Sequence, residues 1–343
     1  MYHATHFLPD HPLKAYNSFQ FNVHARFFAA FQTHEMMQEL LEQYQGLPYM
    51  PMHILGGGSN ILFTRDVDGL ILRNELKGIE LVNEDADHYY VKAMAGENWH
   101  QFVCYCIERG YAGLENLSLI PGSVGASPMQ NIGAYGVEIK DVFHSLEAWH
   151  INEKHKETFY LKDCEFGYRE SVFKEKYRNR FIITSVTYQL NKKPVFHTSY
   201  GAITQELEKM GVQELSIEAI SKAVVNIRRS KLPDPEKLGN AGSFFKNPTI
   251  SNTHFKRLQE SFPGIVGYPV HETKIKLAAG WLIEQCGWKG YRKGDAGCHE
   301  QQALVLVNYG NATGADIFLL STEIMESVYK KFGVRLDREV NII

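Results

Sequence analysis

The sequence lacks the patterns that mark several classes of protein. Its five cysteines form no CxxC pair and its fifteen histidines include no HExxH motif, so no protein-held metal is expected. No stretch reaches the ~18 apolar residues that span a bilayer. A net charge of −3 argues against attraction of the whole molecule to nucleic acid or to an anionic membrane surface. No basic segment followed by an apolar core opens the chain, and we expect it to stay in the cytosol.

Size and composition are those of a folded multidomain protein. The 343 residues exceed the length at which a single core stops growing, so two or three domains are expected. Hydrophobic residues make up 44% of the chain and charged residues 22%, which argues against disordered and disulfide-scaffold classes. The cysteines lie mostly in apolar stretches and are predicted to be reduced core thiols: Cys104, Cys106, Cys164, Cys286 and Cys298.

Apolar residues spaced three and four positions apart predict five helices. Thr33 and Ser216 are placed to cap two of them, and Gly110, Gly287 and Gly333 are placed to end others. The helices are expected at Met36–Tyr44, Trp99–Ile107, Ile217–Ile227, Leu277–Gln285 and Ile317–Val328.

Short strand-like runs between these helices predict an α+β fold. The proline-containing run Lys231-Leu232-Pro233-Asp234-Pro235 is a plausible domain boundary. Strands are expected at His53–Leu55, Ile61–Phe63, Gly69–Leu72, Tyr89–Ala93, Phe181–Leu190 and Ala303–Asn308.

A glycine-rich segment between two predicted strands is the first candidate for chemistry. It reads Leu55-Gly56-Gly57-Gly58-Ser59-Asn60. Glycine lets backbone amides approach a phosphate closely, so a pyrophosphate is a fitting ligand. The nucleoside-triphosphate loop is not indicated because no Gly-Lys-Ser/Thr follows, and the dinucleotide fingerprint needs a glycine where Ile61 stands. A bare structural turn is the alternative.

The second candidate is the long segment Gly113–Gly136, which alternates small residues and side-chain amides with isolated aliphatic residues. This pattern has neither helical nor strand periodicity. A purely structural loop of this length is unusual, whereas backbone donors and small side chains can line a flat ligand. The segment is therefore predicted to contact a cofactor with a pyrophosphate and a planar ring.

Together the two segments carry a family resemblance. The glycine run at 56–60 followed by Ile120-Pro121-Gly122-Ser123-Val124-Gly125-Ala126-Ser127-Pro128 closely resembles the FAD-binding domain of the vanillyl-alcohol-oxidase (PCMH) type. Further motifs, in order from about residue 19 to residue 339, resemble the UDP-N-acetylenolpyruvoylglucosamine reductase family. They are Gln130–Gly136, Gly167-Tyr168-Arg169, Lys231–Pro235, Asn240–Pro248 and Lys276–Ile283.

The resemblance implies a two-part FAD-binding module followed by a C-terminal α+β domain that binds substrate. The implied parts are residues 1–75 with a C-terminal strand at 333–343, residues 76–232, and residues 233–332. Residues 190–215, with Tyr200-Gly201, look like the insertion that marks the type I subclass and carries a mobile tyrosine.

The resemblance also implies FAD as cofactor and NADPH as co-substrate for reduction of UDP-N-acetylglucosamine enolpyruvate to UDP-N-acetylmuramate in peptidoglycan synthesis. Arg228 is expected to reach the FAD pyrophosphate, although a basic residue near a helix end is also favoured by the helix dipole. The remaining residues that the resemblance assigns to the cofactor are Leu55, Gly56, Gly57, Gly58, Ser59, Asn60, Ile120, Pro121, Gly122, Ser123, Gly125, Ser127 and Gly133.

Three residues are implied to carry the chemistry. Arg169 and Glu339 would stabilise the enolate intermediate, and Ser243 would donate a proton to carbon. The local match around Glu339 is weaker, and Asp337 is the alternative acid. Substrate binding is assigned to Tyr168, Tyr200, Lys231, Asn247, Tyr268 and Gln302, although packing alone would also account for the tyrosines.

One departure and two rival functions stand beside this interpretation. Asn341 occupies a position where an arginine is common in the family, which puts one flavin contact in doubt. The rivals are a sugar or alcohol oxidase built on the same flavin domain, and a non-catalytic binder of flavin or sugar nucleotide. Partners are expected to be small molecules, with no nucleic acid and no membrane, and the protein is expected to be a monomer.

Overall fold

A computed structural model describes residues 6–46, 50–200 and 202–343. The chain forms two compact units, each assembled from separate stretches of sequence. The first unit combines the residues up to His11 with Ala25–Gly57 and Asp68–Ser230, and the second combines Pro12–His24, Gly58–Val67 and Lys231–Ile343. The three-part division implied by the motifs stays a prediction.

The helices of the first unit are α1 (His34–Gln45), α2 (Trp99–Glu108), α3 (Ile203–Lys209) and α4 (Ile217–Lys231). Helices α1 and α4 begin at the caps that the sequence predicts, whereas α2 is capped by Asn98 and α3, which has no side-chain cap, is not predicted by the sequence. The Thr33 hydroxyl accepts the Met36 backbone N–H at 3.1 Å, and the Ser216 hydroxyl accepts the Ala219 N–H at 3.1 Å. Gly110 follows α2 with φ of 72°, the left-handed conformation that suits glycine after a helix.

Helices of the second unit are α5 (Asn252–Ser261), α6 (Ala279–Gln285) and α7 (Gly314–Phe332). Gly333 ends α7 with φ of 64°. The prediction that Leu277 begins a helix is wrong, because Leu277 ends the strand Lys274–Leu277. Helix α6 begins two residues later, where the Asn247 side-chain oxygen accepts the Ala279 backbone N–H at 2.9 Å.

Two larger sheets organise the first unit. In the four-stranded sheet the strand order is Leu8–Pro12, His24–Phe31, Val67–Asn74, Met52–Leu55, and the last two strands are parallel. The five-stranded sheet is antiparallel in the order His155–Tyr160, Phe143–His150, Phe181–Asn191, His88–Met94, Ile79–Glu84. A short ribbon pairs Gly133–Ala134 with Val137–Glu138.

Smaller sheets organise the second unit. One antiparallel sheet has the order Gly239–Ser243, Val305–Asn308, Ala296–Cys298, Arg292–Lys293. Another has the order Thr249–Ser251, Lys274–Leu277, Gly267–His271. The C-terminal strand Asn341–Ile342 runs parallel to Ile61–Leu62. The mixture of helices and antiparallel sheets confirms the predicted α+β class.

Aromatic and aliphatic side chains fill both units. In the first unit, helix α2 turns Trp99, Phe102 and Val103 against the buried faces of the five-stranded sheet. In the second unit, Phe19 packs on Phe244 with ring centroids 6.3 Å apart. None of the helices in the described ranges is both long enough and apolar enough to cross a bilayer.

Candidate active site

The glycine-rich turn and the long small-residue segment meet within the first unit. Gly57 approaches Gly122 so closely that a Cβ atom on Gly57 would lie 2.8 Å from the Gly122 Cα, below any normal contact. A Cβ atom on Gly56 would clash with the side-chain hydroxyl of Ser123. Backbone at this spacing leaves amide groups, rather than side chains, on the surface of the turn. Such a surface suits a pyrophosphate.

The start of helix α2 holds the segment around Gly122. The Trp99 backbone N–H donates to the Gly122 carbonyl at 3.0 Å, and the Val124 N–H donates to the Glu97 carbonyl at 2.9 Å. Gly125 donates its N–H to the Ala95 carbonyl at 2.9 Å. Residues 122–125 are therefore held by the first residue of α2 and by the segment that precedes it, so this part of the loop is preorganised for a ligand.

Buried hydrogen bonds fix the loop farther along. The Ser127 hydroxyl lies 2.7 Å from the Tyr188 hydroxyl in the core, which fixes the direction of this side chain. Leu55 is buried at the end of its strand, while Ser59, Asn60 and Ile120 are half-buried. Pro121 is exposed. These are the surroundings of the cofactor residues that the sequence predicts.

Several side-chained residues of the candidate site have left-handed backbone conformations. The φ angles are 59° at Leu119, 44° at Asn131, 50° at Tyr135 and 55° at Arg169. Each such residue costs about 1–3 kcal/mol and persists only where its surroundings hold it. Strain of this kind is typical of functional loops, and here it falls on the motifs that carry the family resemblance.

Arg169 lies against the Gln130–Gly136 motif. Its Nη2 donates to the Gly133 carbonyl at 2.6 Å, and its guanidinium carbon lies 5.4 Å from the centre of the Tyr168 ring. The Asn131 side-chain amide donates to the Gly167 carbonyl at 2.9 Å. Two motifs whose bonded residues are 36 positions apart in sequence thus form one local structure, which fixes the direction of the guanidinium.

Tyr200 lies against Gly136, the last residue of the Gln130–Gly136 motif. A Cβ atom on Gly136 would lie 3.3 Å from the Tyr200 Cβ, and the tyrosine ring is 55% exposed. The Asn116 side-chain amide donates to both the Tyr135 carbonyl at 2.9 Å and the His197 carbonyl at 2.8 Å, which ties the insertion to the loop. Gly201, the partner of Tyr200 in the predicted motif, lies outside the described residues.

Arg228 reaches the small-residue segment from helix α4. Its Nε donates to the Leu119 carbonyl at 3.2 Å. Burial lowers the pKa of the Arg228 guanidinium, and the nearby Tyr135 opposes this effect. Burial also raises the pKa of Tyr135. A guanidinium stays cationic even when its pKa falls somewhat, so Arg228 brings positive charge to the loop.

The second unit places Ser243 beside the segment that contains Glu339. The Glu339 backbone N–H donates to the Phe244 carbonyl at 2.8 Å, and the Lys246 N–H donates to the Asp337 carbonyl at 2.9 Å. Glu339 is half-buried, whereas Asp337 is exposed. The segment that follows Ser243 is thus hydrogen-bonded to the backbone of both acids, and the choice of Glu339 over Asp337 stays a prediction.

Asn247 and Gln302 meet at the first turn of helix α6. The Asn247 oxygen accepts the Ala279 N–H, and a Cβ on Gly280 would lie 3.0 Å from the Gln302 side-chain oxygen. Leu304, two residues after Gln302, accepts the Phe244 N–H at 2.8 Å. Side-chain contacts of Asn247 and Gln302 with α6, and the backbone bond between Phe244 and Leu304, thus place Ser243, Asn247 and Gln302 near one another within this unit.

Lys231 and Tyr268 are exposed. Lys231 ends helix α4, and Tyr268 lies on the strand Gly267–His271 with 51% of its surface accessible. Neither position is fixed by the contacts that gather the three residues above. Their assignment to substrate continues to rest on the motifs alone.

Asn341 takes part in the glycine-rich turn. Its backbone N–H and its side-chain amide both donate to the Asn60 carbonyl, at 3.1 Å and 3.0 Å. The Asn60 side chain in turn lies 3.4 Å from the Glu339 carbonyl. Asn341, which departs from the family pattern, thus stabilises the end of the glycine-rich turn by its hydrogen bonds to Asn60.

One residue near the loop belongs to no motif that the sequence displays. His100, in the first turn of α2, accepts the Leu119 backbone N–H at its Nδ1, with a distance of 3.0 Å. A lone histidine in an amphipathic helix resembles any other polar position, so local pattern could not have found it.

Two family models match parts of this chain. A family model described as UDP-N-acetylenolpyruvoylglucosamine reductase, C-terminal domain, matches residues 234–343, and a model described as FAD binding domain matches residues 25–157. These matches confirm the predicted pairing of a flavin module with a C-terminal domain.

Relatives match over nearly the whole chain. UDP-N-acetylenolpyruvoylglucosamine reductase of Flavobacterium johnsoniae is 49% identical, over 96% of this chain and 98% of the relative. The reductase of Burkholderia lata is 51% identical, over 97% and 95%. The crystal structure of the Thermus caldophilus reductase has a TM-score of 0.64 at 22% identity, covering 96% of this chain and 97% of that one, which supports the fold alone.

Proposed function

Because this chain belongs to the UDP-N-acetylenolpyruvoylglucosamine reductase family, we propose that it reduces UDP-N-acetylglucosamine enolpyruvate to UDP-N-acetylmuramate with NADPH, in peptidoglycan precursor synthesis. The family resemblance drawn from the motifs is confirmed by these relatives. The observation that carries the proposal is the contact between Gly57 and Gly122, because it brings together the two segments on which the flavin assignment depends.

The cofactor is FAD, and the residues present fit it. Gly57 and Gly122 offer backbone without side chains, and Arg228 adds a cation at the Leu119 carbonyl. Bound by these residues, FAD would supply the hydride-transfer chemistry between NADPH and the vinyl group of the substrate. We propose that the cradle holds FAD with Leu55, Gly56, Gly57, Gly58, Ser59, Asn60, Ile120, Pro121, Gly122, Ser123, Gly125, Ser127, Gly133 and Arg228.

Arg169 is proposed to bind the substrate carboxylate, where charge accumulates as the double bond is reduced. A guanidinium offers a planar fork of donors to a carboxylate. Because one Nη2 donor is already held by the Gly133 carbonyl, the orientation of the fork is set before substrate arrives. Glu339 is proposed to act with Arg169 in stabilising the enolate.

Ser243 is proposed to donate the proton that completes the addition. A serine hydroxyl is a weak acid, so it can protonate only a strongly basic carbon such as that of an enolate. Strand pairing opposite Val305 and the adjacent Phe244–Leu304 hydrogen bond hold its backbone. This rigidity supports a role that depends on position.

Substrate binding is proposed for six side chains. Asn247 has its oxygen occupied by the Ala279 N–H, so its amide nitrogen is the atom that would donate to substrate. Lys231 would pair with the diphosphate, since an ammonium is a compact point charge. Tyrosines would cover nucleotide or sugar with rigid rings. The full set is Tyr168, Tyr200, Lys231, Asn247, Tyr268 and Gln302.

The chain acts on small molecules, as its family does. We propose that it works in the cytoplasm as a monomer, with no nucleic acid or membrane partner. All five cysteines are free, which fits a reducing compartment. Burial raises the pKa of Cys164 and Cys298 to about 12, so these thiols are poor nucleophiles.

A steady-state assay tests the proposal against an oxidase of the same flavin superfamily. NADPH oxidation should require UDP-N-acetylglucosamine enolpyruvate, and mass spectrometry should find a product that has gained two hydrogen atoms. Oxygen consumption driven by sugars or alcohols, without use of NADPH, would instead identify an oxidase. A protein that binds flavin and shows neither reaction would be the non-catalytic binder.

A further inference from the structure

Leu119 is a strained residue at the entrance to the flavin loop. It directly precedes Ile120-Pro121-Gly122-Ser123 and has φ of 59°. The left-handed conformation costs a side-chained residue about 1–2 kcal/mol. Such a conformation persists only where the surrounding structure holds it.

Two helices supply those groups. From α2, Trp99 Nε1 donates to the Leu117 carbonyl at 2.9 Å, and His100 Nδ1 accepts the Leu119 N–H at 3.0 Å. From α4, Arg228 Nε donates to the Leu119 carbonyl at 3.2 Å. Ser118 lies between, with its hydroxyl 2.8 Å from that of Ser221 on α4. Three consecutive residues are thus held from both sides.

We propose that His100 is a positioning residue, whose neutral imidazole holds the Leu119 amide and so keeps the flavin loop in the conformation that binds FAD. The inference rests on the proposed function, since it takes the loop at 120–123 to be the FAD site. His100 acts through Leu119, which directly precedes that loop.

The role depends on which nitrogen carries the proton. Because Nδ1 accepts from a backbone N–H, the proton of the neutral ring must be on Nε2. Protonation of Nδ1 would place two donors face to face and remove the hydrogen bond. The interaction therefore exists only while His100 is neutral.

The surroundings of the ring favour that neutral form. Burial lowers the pKa of His100, and the Arg229 and Arg228 guanidinium groups lower it further. Cys104 also faces the ring, with its sulfur 3.8 Å from Nε2. Burial raises the pKa of the Cys104 thiol, which keeps it uncharged at neutral pH.

Two substitutions separate the acceptor from the ring. In His100→Asn the side-chain oxygen can take the position of Nδ1, so an acceptor remains. In His100→Leu the acceptor is lost while apolar volume is kept. The Kd for FAD, measured by ultrafiltration and flavin absorbance at pH 7.5, should stay within about threefold of wild type in His100→Asn and rise about tenfold in His100→Leu, the effect of one lost hydrogen bond.

A pH series supplies a readout that a packing role would not change. Below the usual histidine pKa of about 6.5, the Kd of the wild type should rise more steeply than that of His100→Asn, because asparagine does not titrate. Titration of FAD and of other histidines affects both proteins equally and cancels in the ratio. Circular dichroism at each pH checks that both remain folded.

The outcomes are distinct. Parallel pH profiles for wild type and His100→Asn would overturn the inference, as would equal affinity of wild type and His100→Leu. If His100→Leu does not fold, the two pH profiles still decide. A wild-type protein that binds no FAD would refute the proposed function itself, whichever residue stands at position 100.

Discussion

The space between Gly57 and Gly122 is too small for a side chain. A Cβ atom on residue 57 would lie 2.8 Å from the Gly122 Cα, and Gly122 cannot move away without breaking its hydrogen bond to the Trp99 N–H. We expect Gly57→Ala to fold but to lose at least about tenfold in FAD affinity, because a backbone shift there misplaces the amides of the loop. Flavin absorbance per chain after gel filtration measures this.

The matched control is Gly264→Ala. Gly264 is exposed, and a Cβ there would meet only the Trp281 ring at 3.9 Å, which is ordinary contact. It should retain the flavin content of wild type. Full flavin occupancy in Gly57→Ala would show that the close contact has no part in binding.

Ser243→Ala should separate the two halves of the reaction. NADPH should still bleach the flavin at close to the normal rate, because no proton is donated to carbon in that step. Oxidation by the enolpyruvyl substrate should slow by about 100-fold or more, the usual loss of a general acid. Anaerobic stopped-flow absorbance follows both steps. The exposed Ser261→Ala serves as control, and equal slowing of both steps in Ser243→Ala would contradict the assignment.

Arg169→Lys tests the oriented fork. Lysine has one ammonium and cannot bond the Gly133 carbonyl and a carboxylate with the geometry of a guanidinium. The second half-reaction should slow by about 100-fold or more. Arg26→Lys, in an exposed ion pair with Asp68, should be nearly neutral. Turnover near the wild-type rate would remove Arg169 from the chemistry.

Some residues of the site could be predicted from their neighbours in the sequence, and others could not. Gly57, Arg169 and Ser243 stand in motifs whose neighbours are contiguous in sequence, so a motif could point to them. His100 acts on Leu119, nineteen positions away, through one hydrogen bond. Nothing near His100 in the sequence encodes that partner, and only the packing of α2 against the loop reveals it.

At the scale of elements, Glu147 links four strands of the five-stranded sheet. Its carboxylate lies 2.6 Å from Lys92 Nζ, 2.7 Å from Lys156 Nζ and 2.8 Å from the Ser185 hydroxyl. Burial acts to raise the pKa of Glu147, but Lys156, Lys92 and Ser185 together lower it to about 2. The charged form is therefore favoured in the folded protein.

The sign of the pH effect follows from the lowered pKa. Unfolded glutamate titrates near 4.3, so the stabilisation is complete above about pH 5 and is lost as the pH falls toward 2. Glu147→Gln should lower the free energy of unfolding by about 1–3 kcal/mol at pH 7 and flatten its acid dependence. Urea unfolding between pH 3 and 7 measures both, with exposed Glu80→Gln as control. An unchanged acid dependence in Glu147→Gln would contradict this role.

Helices were predictable where an apolar stripe coincides with a cap. Helices α1, α2, α4 and α7 satisfy both conditions. Helix α5 buries only Leu258, so its sequence shows no stripe and gave no prediction. The spacing of Leu277 predicts that it begins a helix. In the structure Leu277 instead pairs with Gly267 in a strand, and the helix begins at Ala279, where the Asn247 side chain caps it. Tertiary contacts decided that boundary.

At the scale of the whole molecule, each of the two units combines segments that are far apart in sequence. Residues 12–24 and 58–67 belong with the C-terminal half. The contacts responsible join distant positions: the Asn308 amide donates to the Phe19 carbonyl at 2.9 Å, and the Gln20 amide donates to the Pro235 carbonyl at 2.6 Å. Contacts between residues more than 200 positions apart leave no periodic pattern in the sequence. Only the family resemblance therefore predicted that a C-terminal strand joins the N-terminal part of the chain.

The most direct test of the flavin cradle and its reaction is one anaerobic experiment on the purified protein. Addition of NADPH should bleach the flavin absorbance, and subsequent addition of UDP-N-acetylglucosamine enolpyruvate should restore it with formation of one UDP-N-acetylmuramate per flavin. A protein without flavin bands, or a bleached flavin that only oxygen restores, would contradict the account.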